Sequence, residues 1–412
     1  MAISVIEIIF FIYIFLGLYM LSLLVFIYYP NRKRLFSYPP GKPVPVSIVM
    51  PCYNEGKHIG EGIEGLLALN YPRDMMEIIV VDDKSTDDSA MIVQKYVDKY
   101  DNVRLIVNER NSGGAAEPTN IGVRAAKYDY VVVSDADSTP HKDALMRMIG
   151  FLQEDDRVAA VTCSVLAKEP RKFIQKLQAI EYGVISWSRK LLDLVDAVYV
   201  TPGPFALYRK DVLIRVGLFD TKNMTQDIEI VWRLLKNGYK ARMCLAGQVY
   251  SETPEKFKAW FKQRIRWNIG GTQTLIKYKR YLFRKGMLGA FIVPFFSVSL
   301  FLGLLGLGLF IYLALRRILV WYLSTKYSIY ASSAVVRFSE FSFSPSVLNY
   351  FGAILFILGA VFTGLALFLM RHTNIKKHSF FNVVFYMVVY LTMYPVIMVV
   401  ALYKLSTGKY SW

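Results

Sequence analysis

The length of its uncharged stretches constrains this 412-residue chain most. Residues 5–29, VIEIIFFIYIFLGLYMLSLLVFIYY, carry a single charge, Glu7. Residues 287–315 carry none, and further apolar runs occupy about 347–370 and 379–403. About 20 apolar residues suffice to cross a bilayer as a helix. The pattern predicts four membrane spans, one within residues 1–30 and three within 287–412. Pro294 and Pro395 fall inside spans, a position that membrane helices tolerate. The first run is too long for the apolar part of a cleaved signal peptide, and no small-residue cleavage site follows it.

Charge placement sets the expected orientation. NRKR, Asn31 to Arg34, follows the first run directly, so the positive-inside rule puts the next segment in the cytoplasm. RHTNIKK, Arg371 to Lys377, then falls on the same side. The segment 316–346, with Arg316, Arg317, Lys326 and Arg337, falls outside against the rule, although it is apolar enough to hold an interfacial helix. The expectation is a multi-pass plasma-membrane protein with a cytoplasmic globular part. Its net charge of +17 is concentrated beside the apolar runs and accompanies no nucleic-acid-binding pattern. Membrane lipids are therefore the expected partner of the basic flanks, and nucleic acid is not. Cys52, Cys163 and Cys244 are far apart, and the four histidines do not cluster, so neither a disulfide framework nor a zinc site is expected.

Residues 45–250 have a different texture. VSIVMPCYNE reads as strand then loop, IGEGIEGLLAL as a helix and EIIVVDD as a strand. STDDSAMIVQKYVDKY reads as a helix capped by Ser85 or Thr86, VRLIVNE as a strand, AAEPTNIGVRAAK as a helix, and YVVVSDAD as a strand. Val- and Ile-rich strands alternating with helices predict an α/β domain with a mainly parallel, Rossmann-like sheet. Ligands of such sheets bind beyond the carboxyl ends of the strands, where this chain puts its acidic residues. Residues 251–286 follow, and from Glu255 on they carry ten Lys or Arg against one Glu, interleaved with aromatics, as interfacial helices do.

Five constellations carry the chemistry. In PCYNE, Tyr53 can pack on a planar ring and Glu55 can hold a sugar hydroxyl. In VVDDKSTDDS, Asp83 at a strand tip is the ligand-facing candidate, while Asp87 and Asp88 suit the next helix. In VVVSDADSTP, alternation along an extended chain aims Asp135 and Asp137 at one spot. Two carboxylates make a hard-oxygen half-site for Mg²⁺ or Mn²⁺, which leaves positions for a diphosphate. In TQDIEIVWRLLK, Asp227 stands at a helix start, where it serves either the helix dipole or a general base. In QRIRW, Arg266 suits bidentate phosphate binding and Trp267 offers a flat face.

The order of these motifs resembles membrane-bound family-2 glycosyltransferases with a GT-A fold. Among them it is most similar to the processive cellulose, hyaluronan and poly-N-acetylglucosamine synthases. TPGPFALYRKDVLIRVGLFD, Thr201 to Asp220, resembles the segment that lines their acceptor site. The resemblance covers roughly residues 45–290. It implies that Pro51, Tyr53, Glu55 and Asp83 line the nucleotide pocket, and that Asp135 and Asp137 contact the nucleotide and its metal. Asp227 would be the general base, and Gln263, Arg266 and Trp267 would hold the diphosphate and the acceptor end. Two positions depart from the family pattern: Gln226 stands where Glu is usual, and Gly114 where Lys is frequent.

The implied reaction is inverting, metal-dependent transfer from a nucleotide-sugar donor, expected to be UDP-linked, to a growing polysaccharide. Transfer of one sugar to a lipid acceptor is the nearest alternative, and a non-catalytic nucleotide-sugar receptor is one of another class. A transporter is disfavoured because no buried charge or paired interrupted helix suggests a substrate path.

Overall fold

The computed structural model describes residues 5–330, 347–371 and 378–410. Helix α1 (Val5–Asn31) is followed, after an extended linker, by β1 (Val46–Cys52), α2 (Ile59–Leu67), β2 (Met76–Asp82), α3 (Ser89–Val97), β3 (Val103–Val107), α4 (Ala116–Ala125) and β4 (Tyr130–Val133). Then come β5 (Ser138–Pro140), α5 (Ala144–Glu154), β6 (Val158–Ala167), α6 (Phe173–Asp193), β7 (Ala206–Arg209), α7 (Lys210–Val216), α8 (Gln226–Lys236) and β8 (Lys240–Ser251). Helix α9 (Phe257–Tyr278) leads to α10 (Val293–Tyr330), α11 (Val347–Met370), α12 (Phe380–Phe385) and α13 (Met393–Thr407).

One eight-stranded sheet has the order β3-β2-β1-β4-β7-β6-β8-β5. β3, β2, β1 and β4 run parallel, as the alternation of strands and helices predicts. All seven residues of β2 are buried, which is why its centre, Ile78 to Val81, reads as an unbroken apolar run rather than an alternating one. The other half is mixed: β7 is antiparallel to β4 and β6, β8 runs parallel to β6, and β5 is antiparallel to β8. The helix after β2 starts at Ser89 with Asp88 before it, so Ser85 and Thr86 lie in the loop rather than at the cap.

Helix α6 lies between the sheet and the apolar helices. Trp187 is fully buried, and its ring meets Tyr28 of α1 at 5.7 Å and Phe362 of α11 at 4.5 Å. Among the described residues three helices are long and apolar enough to cross a membrane, including a 43-residue segment from Leu288 to Tyr330. That helix continues through the first half of the segment 316–346 instead of ending near 315; residues 331–346 and 372–377 lie outside the described residues.

The last apolar run is broken. Phe380–Tyr390 and Met393–Thr407 meet at an angle of 40°, and together they make a fourth candidate span. Two features meet there: a π-helical turn at Tyr386–Tyr390 runs into the break, and Pro395 has no N–H for the Leu391 carbonyl, which accepts from Tyr394 N–H at 3.2 Å instead. One interrupted span is thus present among the described residues, packed against a buried ion pair between α6 and α9.

Candidate active site

The loops after β1 and β2 hold each other in place. The Asn54 backbone, in the left-handed region at φ 54°, donates to Ser85 Oγ at 2.9 Å, and its side chain accepts from the Thr86 N–H at 2.8 Å. Gly56 N–H donates to Asp87 at 2.9 Å, and Asp87 also accepts from the Ser89 N–H and hydroxyl. These bonds hold Asp87 below the ordinary carboxylate range, so it serves the loop and helix start as its position suggested. Pro51, between the buried Met50 and Cys52 of β1, is half-buried, while Tyr53 is exposed at the rim. Asp83 is buried and accepts from Asn108 Nδ2 at 2.6 Å and from Ser112 N–H and Oγ at 2.9 and 2.7 Å. Its carboxylate therefore shapes the loop of residues 108–112 beside the cleft.

The acidic pair is gathered by a turn and not by strand alternation. β4 ends at Val133, and Ser138 N–H closes a turn onto the Asp135 carbonyl at 3.2 Å. Asp135 N–H donates to the Gly203 carbonyl at 3.1 Å, and a Cβ on Gly203 would stand 2.6 Å from Asp135 Oδ1. Only glycine leaves that carboxylate its place. Burial raises the carboxyls of Asp135 and Asp137, and for Asp135 the charge of Asp137 and then Asp227 adds to it. Ser138 donates to Asp137 at 2.9 Å and holds it partly back. Glu55 is pushed up to about 7 by burial and then by Asp137 and Asp87.

Asp227 sits in the first turn of α8, and α9 is fastened across that turn. Gln273 Oε1 accepts from Met224 N–H at 3.0 Å, and Asn223 Nδ2 donates to Thr274 Oγ1 at 3.0 Å. Further on, Lys277 reaches both Asp220 and Glu229 at 2.7 Å, and Tyr278 donates to Glu229 at 2.9 Å. Gly270 makes this approach possible, because a Cβ there would stand 2.6 Å from Thr225 N and 2.7 Å from Thr225 Cβ. Arg266 lies one helical turn before Gly270, on the same face of α9. Its guanidinium is pulled down by burial and pushed back up by Asp227, Asp135 and Asp137, in that order. Burial raises Asp227, and Arg266 opposes that rise. Asp135, Asp137, Asp227 and Arg266 are thus brought together, with Glu55 beside the pair.

The segment from Thr201 runs between the two sides. Thr201 N–H donates to the Asp227 carbonyl at 3.3 Å, two residues before Gly203 meets Asp135. Gln263 accepts from Arg264 at 2.5 Å, and Trp267 lies under the Arg264 guanidinium at 4.0 Å. Gln226 Oε1 is buried with no hydrogen-bond partner among the described residues. Gly203, Gly270 and Arg189, a buried cation that helps hold Asp227 down, were missed by the sequence reading. The interior glycines of NIGGTQT were the available signal for close backbone approach.

The residues present fit a divalent cation. Asp135 and Asp137 are hard-oxygen donors whose carboxyls stay raised by burial, although Arg266 opposes the rise of Asp135. No group of three or more His, Cys, Asp or Glu with ligating geometry occurs among the described residues, so the protein offers two carboxylates and leaves the remaining positions open.

A parallel half-sheet with acidic turns at its carboxyl ends, closed by a mixed half, defines a GT-A domain of the nucleotide-sugar transferases. A family model described as glycosyltransferase like family 2 matches residues 43–270, and the chain belongs to that family. It is 32% identical over 233 residues to the poly-beta-1,6-N-acetyl-D-glucosamine synthase of Staphylococcus aureus, covering 56% of each chain. It is 30% identical over 233 residues to the Staphylococcus epidermidis synthase of the same name, again covering 56% of each. The chain thus spans about half the length of the curated relatives it matches. The mannosyltransferase PcManGT from Pyrobaculum calidifontis, solved with GDP-Man and Mn²⁺, superposes with a TM-score of 0.60 at 20% identity. That match covers 98% of this chain and 100% of the other, and it carries the fold. The protein is a family-2 glycosyltransferase related to polysaccharide synthases.

Proposed function

We propose that the chain moves a sugar, with inversion, from a nucleotide-diphosphate donor to a growing polysaccharide at the membrane, and that the donor is UDP-N-acetylglucosamine. The observation that carries this reading is the seating of α9 on the start of α8, which sets Arg266 against Asp227 and the acidic turn. In it a cation for a departing diphosphate, a half-site for its metal and a buried base share one cleft.

The donor's nucleotide lies along the loops after β1 and β2, with Tyr53 and Glu55 at the rim and Pro51 and Asp83 forming the wall. Asp135 and Asp137 would hold Mg²⁺ or Mn²⁺, which when bound would supply positive charge for the diphosphate. Arg266 and Gln263 meet the same charge as it builds on the leaving group. Asp227 takes the proton from an acceptor hydroxyl while that oxygen attacks the anomeric carbon. The carbon–oxygen bond to the diphosphate breaks, its electron pair leaves with UDP, and the configuration inverts once. Trp267 offers its ring to the sugar at the acceptor end. The orientation proposed here keeps residues 45–250 cytoplasmic, with residues 251–286 lying along the membrane and residues 1–30 and 287–412 within it.

The test is incubation of the full chain in lipid nanodiscs with labelled UDP-N-acetylglucosamine and Mn²⁺, followed by sizing of the product. A ladder of lengths is expected. A single labelled lipid would instead establish transfer of one sugar to a lipid acceptor, and donor binding without turnover would establish a receptor.

A further inference from the structure

A second concentration of buried charge lies on α9, away from the Asp227 face. Arg264 is 0% exposed, and Glu181, near the middle of α6, is 3% exposed. The guanidinium pairs with Glu181 Oε2 through Nη2 and donates to Gln263 Oε1 at 2.5 Å through Nη1. Its Nε donates to the Tyr394 hydroxyl at 3.0 Å, and Tyr394 gives its own proton to Glu181 Oε1. Tyr390 donates to Glu181 Oε2 at 2.6 Å and accepts from the Trp260 indole N–H at 2.6 Å. Each tyrosine hydroxyl donates once and accepts once, so the network has one consistent arrangement of protons. Tyr390 and Tyr394 stand on either side of the 40° break in the last apolar segment. Above this set, the Arg264 guanidinium covers one face of the Trp267 ring at 4.0 Å.

A buried ion pair is weak evidence for stability, since well-packed apolar residues usually replace it at no loss; fixing one geometry is its better-attested use. Here the fixed geometry belongs to Gln263 and Trp267. We propose that Glu181, Tyr390 and Tyr394 are positioning residues that hold Arg264 flat against Trp267 and so set the face that receives the acceptor sugar. The broken membrane segment thereby takes part in acceptor binding without touching the acceptor. This inference rests on the reading that Trp267 receives the acceptor end.

Two variants of the full chain in lipid nanodiscs test it. Glu181→Gln leaves Arg264 buried without its counter-charge. Tyr394→Phe removes one hydroxyl, keeps the ion pair and folds even where the first variant does not. With UDP-N-acetylglucosamine and a β-1,6-linked N-acetylglucosamine oligomer, the acceptor KM should rise about tenfold or more, as loss of supporting contacts does elsewhere. The donor KM should stay within about twofold. Without substrate, iodide quenching of the Trp267 emission, taken as the difference from the matching Trp267→Phe protein, should rise in both variants.

Unchanged acceptor KM and unchanged quenching would overturn the proposal. So would equal rises in donor and acceptor KM with a lowered Tm, the mark of general loosening. If the parent protein does not turn over this donor, the reaction proposed above fails, and quenching alone decides: a rise supports the positioning role and no change refutes it.

Discussion

Replacing Gly270 by alanine tests the placement of Arg266 without touching any group that contacts substrate. The added Cβ would lie 2.6 Å from the Thr225 backbone nitrogen, where ordinary contact begins at 3.4 Å. Backbone cannot rotate away as a side chain does, so α9 must lift from the start of α8. Overpacking of this kind costs about 1–3 kcal/mol. A displacement of about 1 Å between Arg266 and the acidic turn costs roughly 100-fold in rate. The adjoining Gly271 is the control, since a Cβ there meets nothing within 4 Å. Gly271→Ala should gain about 0.5–1 kcal/mol from helix propensity alone and keep its rate. The assay compares kcat for UDP release, UDP affinity in the presence of Mn²⁺ and Tm across the parent and both variants. Gly270→Ala should lose roughly 100-fold in kcat. Equal rates in the two alanine variants would show that close contact between α9 and Thr225 does not place Arg266.

Asp227→Asn should lower transfer by about 100- to 10,000-fold, the range of a lost general base, while UDP binding persists; loss of UDP binding in this variant would count against the role. Gly203→Ala should displace the Asp135 carboxylate and weaken Mn²⁺-dependent UDP binding by about 10- to 100-fold, leaving metal-free binding unchanged. Titration of UDP with and without Mn²⁺ reads this directly, with Asp137→Ala as the comparison. The pH profile follows from Asp227, whose carboxyl is raised by burial and held back by Arg266, its own helix amides and Arg189. Transfer needs the ionised form, so kcat should climb with pH through a limb above the ordinary carboxylate range. Arg189→Met removes a neighbouring positive charge, disfavours the carboxylate and should move that limb to higher pH; a limb that stays or falls would contradict the sign.

What the sequence showed of this molecule depended on whether the relevant physics was local. Unbroken Val and Ile runs report burial on both faces, so β1, β2 and β4 were legible. The antiparallel strands β5 and β7 were not, because β5 has three residues and β7 four, too few for a period to emerge. Asp135 and Asp137 stood out by their spacing, but alternation along a strand was the wrong reason for their convergence. A turn gathers them, and that turn depends on Gly203, 68 positions further along than Asp135. Pro395 was visible inside a span, yet only the structure shows that the helix breaks just before it, between Tyr390 and Met393.

The distribution of charge on α9 shows the same limit more sharply. QRIRW contains two arginines two residues apart, and in sequence only Arg266 invited a role. The structure divides them: Arg266 turns to the carboxylates of the cleft, and Arg264 to Glu181, 83 residues away, and to Tyr394, 130 residues away. No local pattern encodes partners at that distance. Residues two apart on a helix differ by about 200° in direction, so a single helix can answer the active site with one arginine and the membrane segment with the other. A basic, aromatic stretch that reads as an interfacial anchor is therefore also the element through which the cleft and the apolar helices share their geometry.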